Sequence, residues 1–94
     1  MTEVWTHATF TIRTGREDEF AQVWTSLARR AREEFGASPT LLRDRGRSNV
    51  FLGFGPWPDV DTMQRFRSAT NDVSAPLDEL VEDAETSLCD KVFP

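Results

Sequence analysis

From Val4 to Arg13 apolar and polar residues alternate with a period of two, the pattern of a strand with one buried face. Val4, Thr6, Ala8, Phe10 and Ile12 point one way and suit a covering helix. Trp5, His7, Thr9, Thr11 and Arg13 point the other way. After Thr14-Gly15 the period changes. Glu17, Asp18 and Glu19 place negative charge in a first helical turn, where the backbone dipole favours it. Phe20, Val23, Trp24, Leu27, Ala28, Ala31 and Phe35 then recur at spacings of three and four, a single apolar stripe. The spacing predicts a helix from Arg16 to Glu34, stopped by Gly36 and kept from resuming by Pro39. Its stripe residues, Phe20 and Trp24 among them, are expected in the core.

Thr40 to Arg45 reads as a short strand, and Arg45-Gly46-Arg47-Ser48 as the turn into a second strand over 49–54. The run that follows, Gly55-Pro56-Trp57-Pro58, is expected to turn sharply into a helix capped by Asp59 and reaching Ala69, with Val60, Met63 and Phe66 inward. Pro76 opens a further short helix through Leu77, Leu80, Val81 and Ala84. Ser87 to Phe93 is apolar enough for a last strand. The order β, long α, β, β, broken α, β predicts one α+β domain over residues 1–94, ferredoxin-like (βαββαβ), with both helical segments on one face of an antiparallel sheet. The other face, expected to carry Trp5, His7, Phe51 and Lys91 or its neighbours, would lie open in a monomer.

Composition narrows the function. Ninety-four residues are too few for two cores. The 38% hydrophobic content is low, yet three Trp and seven Phe supply large units, a mix that fits a domain completing its burial in a homodimer. A formal net charge of −5 argues against nucleic acid, which needs a basic face. Arg29, Arg30, Arg32, Arg43, Arg45 and Arg47 form a local exception that reads as a solvated helix end and hairpin. The single Cys89 permits no intrachain disulfide and is expected to be buried and inert. No apolar run approaches the roughly 20 residues of a membrane span, and no signal peptide is recognisable. A cytoplasmic protein is expected.

Several segments together resemble the antibiotic biosynthesis monooxygenase-like family of dimeric α/β barrels. They are Arg13-Thr14-Gly15-Arg16 leading into Glu19-Phe20, then Leu41-Leu42-Arg43-Asp44, then 49–57 ending in Trp57, and Met63-Gln64-Arg65-Phe66-Arg67. The resemblance covers nearly the whole chain and implies a dimeric barrel enclosing a pocket for a flat organic molecule. Members include cofactor-free oxygenases acting on polycyclic phenols, haem-degrading enzymes and small-molecule isomerases. In the haem-degrading branch the tryptophan corresponds to Trp57, the axial histidine falls at Arg67, and the first-strand asparagine falls near Ala8. A guanidinium cannot ligate iron, so this branch would need His7 as a ligand.

The oxygenase branch asks less of the protein. A deprotonated phenol or hydroquinone can pass an electron to dioxygen with no cofactor and no metal, provided the site binds the ring, favours the phenolate and keeps water away. Asn49 or Arg67 is the candidate donor to the phenolate oxygen, and Phe51, Trp57 and Trp5 are the candidate aromatic walls. His7, whose side chain ordinarily titrates near neutrality, is the candidate base. The family's oxygenases often use Tyr in this cavity, and the chain has none. The expected activity is a cofactor-independent monooxygenase for an aromatic small molecule. A non-catalytic ligand-binding or stress-response barrel is the alternative, and a haem-binding protein a third.

Overall fold

The computed structural model describes residues 3–93. Strand β1 (Val4–Ile12) leads to helix α1 (Glu17–Phe35), then to the hairpin of β2 (Thr40–Arg43) and β3 (Val50–Trp57). Helices α2 (Val60–Ala69), α3 (Asn71–Ser74) and α4 (Leu77–Leu80) precede the last strand, β4 (Val81–Cys89). The strands form one antiparallel sheet in the order β2-β3-β1-β4. This is the ferredoxin-like α+β arrangement, with the helices packed on one face.

Local chemistry explains the boundaries. Gly15 and Gly36, both with positive φ, supply the turns that end β1 and α1. The Gly36 N–H closes α1 by donating to the Ala31 carbonyl. Asp59 caps α2, its Oδ1 accepting from the Thr62 N–H at 2.8 Å. That bond holds the Asp59 carboxyl below the usual carboxylate range. In the β2–β3 turn, Asp44 Oδ1 accepts from the N–H groups of Gly46 at 2.7 Å and Arg47 at 2.9 Å. The arginines of this end are solvated or paired, as in Arg47–Asp44 and Arg30–Glu34.

Four expectations from the sequence need correcting. Trp57 does not lie in a turn: β3 runs through Gly55 and Pro56, and Trp57 pairs with Val4. Pro56 is tolerated because its nitrogen and carbonyl point to the side where β2 has already ended, and the carbonyl accepts from the Ser38 N–H there. The segment after Pro76 is helical only to Leu80, and β4 starts at Val81 rather than Ser87. Pairing along β1 outweighs the weak helical signal of Val81 and Ala84, since β4 makes its hydrogen bonds from Ile12 back to Trp5. Cys89, expected to be buried, is exposed at the end of this edge strand. Val60, expected inward, also lies at the surface.

The core is divided. One cluster gathers Ile12, Phe20, Phe51 and Leu80, with the Phe20 ring 5.1 Å from both Phe10 and Phe51. The other gathers Val4, Ala31, Ala37, Trp57 and Met63, with Phe66 stacked 5.1 Å from Trp57. Phe20 is fully buried at the centre of the first cluster. Phe20→Ala should therefore cost about 3–5 kcal/mol, measured as a lowered urea midpoint with an unchanged slope; an unaltered midpoint would refute the central place given to this ring.

Candidate functional site

Between the two clusters lies a cavity of about 250 Å³. It exists because the sheet carries no bulk at that level. Ala8 pairs with Gly53 on one side and with Thr86 on the other, so a row of small residues crosses three strands. Above the row, Ala28 and Ala31 of α1 leave space that larger side chains would fill. A Cβ on Gly53 would stand 3.4 Å from Phe10 Cε2 and 3.4 Å from Trp24 Cζ2. Glycine there lets both rings lie against the strand and form a wall.

The remaining walls come from both clusters. Trp24 and Leu27 line the side given by α1, Phe66 and Arg67 that given by α2, and Leu77 comes from α4. Trp57, on β3, is held by a hydrogen bond from its indole Nε1 to Thr6 Oγ1 at 3.1 Å. The Thr6 hydroxyl in turn donates toward the Gly55 carbonyl at 3.5 Å. This fixes the indole beside Phe66, the two rings tilted at 49°. No carboxylate lines the cavity, and Arg67 is an exposed cation bordering it. The site is an apolar slot whose polar groups are hydroxyls, indole N–H groups and one guanidinium.

The structure separates the residues singled out from the sequence. Trp57 and Arg67 border the cavity. Phe51 lies on the helix-covered face in the core, not on the open one; it pairs with Phe10, and alternation sends both inward. Asn49 is tied to the end of β1, its Nδ2 donating to the Ile12 carbonyl at 3.2 Å and its own carbonyl accepting from the Ile12 N–H at 2.7 Å. Trp5 is on the outer face, where its Nε1 donates to Glu3 at 3.1 Å and Lys91 Nζ sits 5.5 Å from the ring. His7 neighbours inward-facing Thr6 and Ala8, so its side chain projects outward, 5.0 Å from the Phe54 ring. His7 and Phe54 are nonetheless among the residues that line the cavity.

Sequence reasoning missed Thr6, Ala8, Gly53 and Trp24 as cavity residues. Trp24, expected as plain core, is only partly buried and faces the slot. The available signal was the coincidence of small residues at inward strand positions with the alanines of the helical stripe.

The geometry has close counterparts. SnoaB, a cofactor-independent oxygenase from Streptomyces nogalater, is 26% identical and superposes with a TM-score of 0.86, over 100% of this chain and 97% of that one. A mutant form of SnoaB gives 25% identity and a TM-score of 0.89 over the same shares. A further structure described as an antibiotic biosynthesis monooxygenase is 16% identical with a TM-score of 0.83, over 96% of this chain and 99% of that one. The chain is similar in fold to these oxygenase and antibiotic biosynthesis monooxygenase structures over essentially its whole length. No family model and no curated protein matches it, so the likeness rests on these structures, which span essentially the whole chain. No helix among the described residues is long and apolar enough to cross a membrane.

The Thr6–Trp57 bond is the polar joint of the slot. Thr6→Val should keep the shape of the side chain, leave the indole N–H without its acceptor and cost about 1–3 kcal/mol. Chemical denaturation measures the loss, and an unaltered midpoint would contradict the assignment.

Proposed function

We propose that the protein is a cofactor-independent monooxygenase that oxidises a flat, electron-rich phenol or hydroquinone in the slot between sheet and helices. The observation that carries this reading is the slot itself, apolar, open at one side and free of carboxylates, in a chain similar to SnoaB. Aromatic walls from Phe10, Trp24, Trp57 and Phe66 suit a planar ring system. A carboxylate-free lining leaves a phenolate without like-charge repulsion, and Arg67 at the border gives it a counter-charge.

The chemistry balances without a further reductant. A ring methylene or phenol loses a proton, and the resulting anion passes one electron to dioxygen. The radical pair recombines at carbon to a hydroperoxide, which loses water to leave a carbonyl. One oxygen atom enters the product, and the other departs as water with the two hydrogens of the substrate. Trp57 and Arg67 are the residues proposed to orient the ring and hold its oxygen. His7, among the residues that line the slot, is the candidate for proton transfer, whereas Asn49 could bind the oxygen only by leaving the Ile12 carbonyl. Phe51 supports the wall from behind, through Phe10 and Phe20.

We also propose a homodimer joined through the outer sheet face. Trp5, His7, Leu52 and Phe54 lie on that face with no helix over them, and Leu42 is half exposed beside them. Burying one such side chain is worth about 1.5–3 kcal/mol, so several together exceed a moderate association cost. Sedimentation at tens of micromolar should give twice the chain mass, and a monomer alone would refute the dimer.

Oxygen uptake with a panel of anthrones and hydroquinones separates an oxygenase from a binding protein of the same shape. Arg67→Gln should lower turnover at least about tenfold, short of the roughly hundredfold or more seen for buried donors because Arg67 is exposed to water. Tight binding of these compounds with no oxygen uptake would establish the non-catalytic alternative.

A further inference from the structure

Each of the three indoles of this chain has a different fate. Trp5 Nε1 donates to Glu3, and Trp57 Nε1 donates to Thr6. Trp24 Nε1 has no hydrogen-bond partner among the described residues, yet no buried side-chain nitrogen or oxygen is left unsatisfied. Its N–H is therefore reachable from outside the packed core. The route is the slot, since Trp24 lines it and Nε1 lies only 3.6 Å from where a Cβ of Gly53 would stand. Indole nitrogen donates and never accepts. A donor on an apolar wall, left open by a glycine opposite, is matched by an acceptor on whatever fills the slot.

We propose that the Trp24 N–H anchors an oxygen acceptor of the aromatic ligand above the Ala8–Gly53 floor, so that the slot prefers rings bearing a carbonyl or phenolate oxygen to bare rings. This rests on the slot being the ligand site. It assigns Trp24 as a positioning residue that fixes which edge of the ring enters first. Thr86, across Ala8 from Gly53, supplies a hydroxyl on the same level, able to serve a second oxygen.

Calorimetric titration with two probes of one skeleton tests it: anthraquinone-2-sulfonate, which has ring carbonyls, and anthracene-2-sulfonate, which has none. Trp24→Phe keeps an aromatic ring in the wall and removes the donor together with part of the indole's area, a loss of contact that both probes share. Affinity for the quinone should fall roughly fivefold or more, the range of one net hydrogen bond, while affinity for the anthracene stays within about twofold. A second measurement needs no substitution at Trp24. In protein labelled with ¹⁵N at the indoles, with Trp5→Phe and Trp57→Phe used for assignment, the Trp24 N–H signal should move downfield on saturation with the quinone and not with the anthracene. An equal loss for both probes in Trp24→Phe, or a Trp24 signal that responds identically to both, overturns the anchoring role while leaving the slot as a ligand site. Wild-type protein that binds neither probe overturns the slot reading and the anchor with it.

Discussion

A row of three small residues, Gly53, Ala8 and Thr86, crosses the sheet beneath the alanines of α1, and the rest of the molecule is arranged around it. Because nothing fills the space above that row, the hydrophobic core cannot be continuous. It closes instead as two aromatic clusters, one around Phe20 and one around Trp57 and Phe66. A sealed dry void of the slot's size would cost on the order of 6 kcal/mol at about 24 cal/mol per Å³, as much as the whole stability margin of many small domains. The slot is open at one side, so water or a ligand can share its walls, and the fold tolerates it.

The same row divides polar from apolar chemistry. Many of the acidic residues that give the chain its net negative charge lie in the first turn of α1, at helix starts and along β4, and none lines the slot. Glu82, Asp83 and Glu85 on the exposed edge strand also oppose edge-to-edge pairing with another sheet. What remains at the slot is a set of donors: the Trp24 N–H, threonine hydroxyls and the Arg67 guanidinium. An environment of donors without carboxylates favours a ligand carrying oxygen acceptors, and an anion more than a cation.

The two faces of the sheet hold separate sites. On the inner face Thr6, Ala8 and Phe10 meet the helices; on the outer face Trp5 meets Lys91, and His7 meets Phe54. A one-residue change of side-chain direction therefore moves a residue from ligand wall to prospective interface. Phe51 illustrates this: read as an outer-face partner of Trp5, it is inner-face core beside Phe20.

Periodicity in the sequence determined the βαββαβ order, the α1 stripe and the faces of β1, since each is a local consequence of where apolar residues fall. Gly36 and Asp59 likewise marked helix ends through their own backbone and side-chain chemistry. Trp57 was legible as a candidate pocket residue because a large indole stands out at the end of an apolar run, and it lines the cavity. The small residues of the slot were not, because an Ala or a Gly acquires meaning only from what stands opposite it, and the pairing of Ala8 with Gly53 joins residues far apart in the chain. The extension of β3 through Pro56 and the start of β4 at Val81 were likewise decided by strand pairing, where long-range hydrogen bonds overrule weak local preference. Tertiary structure alone placed Trp24 across from Gly53 and turned a helical core residue into part of a cavity wall.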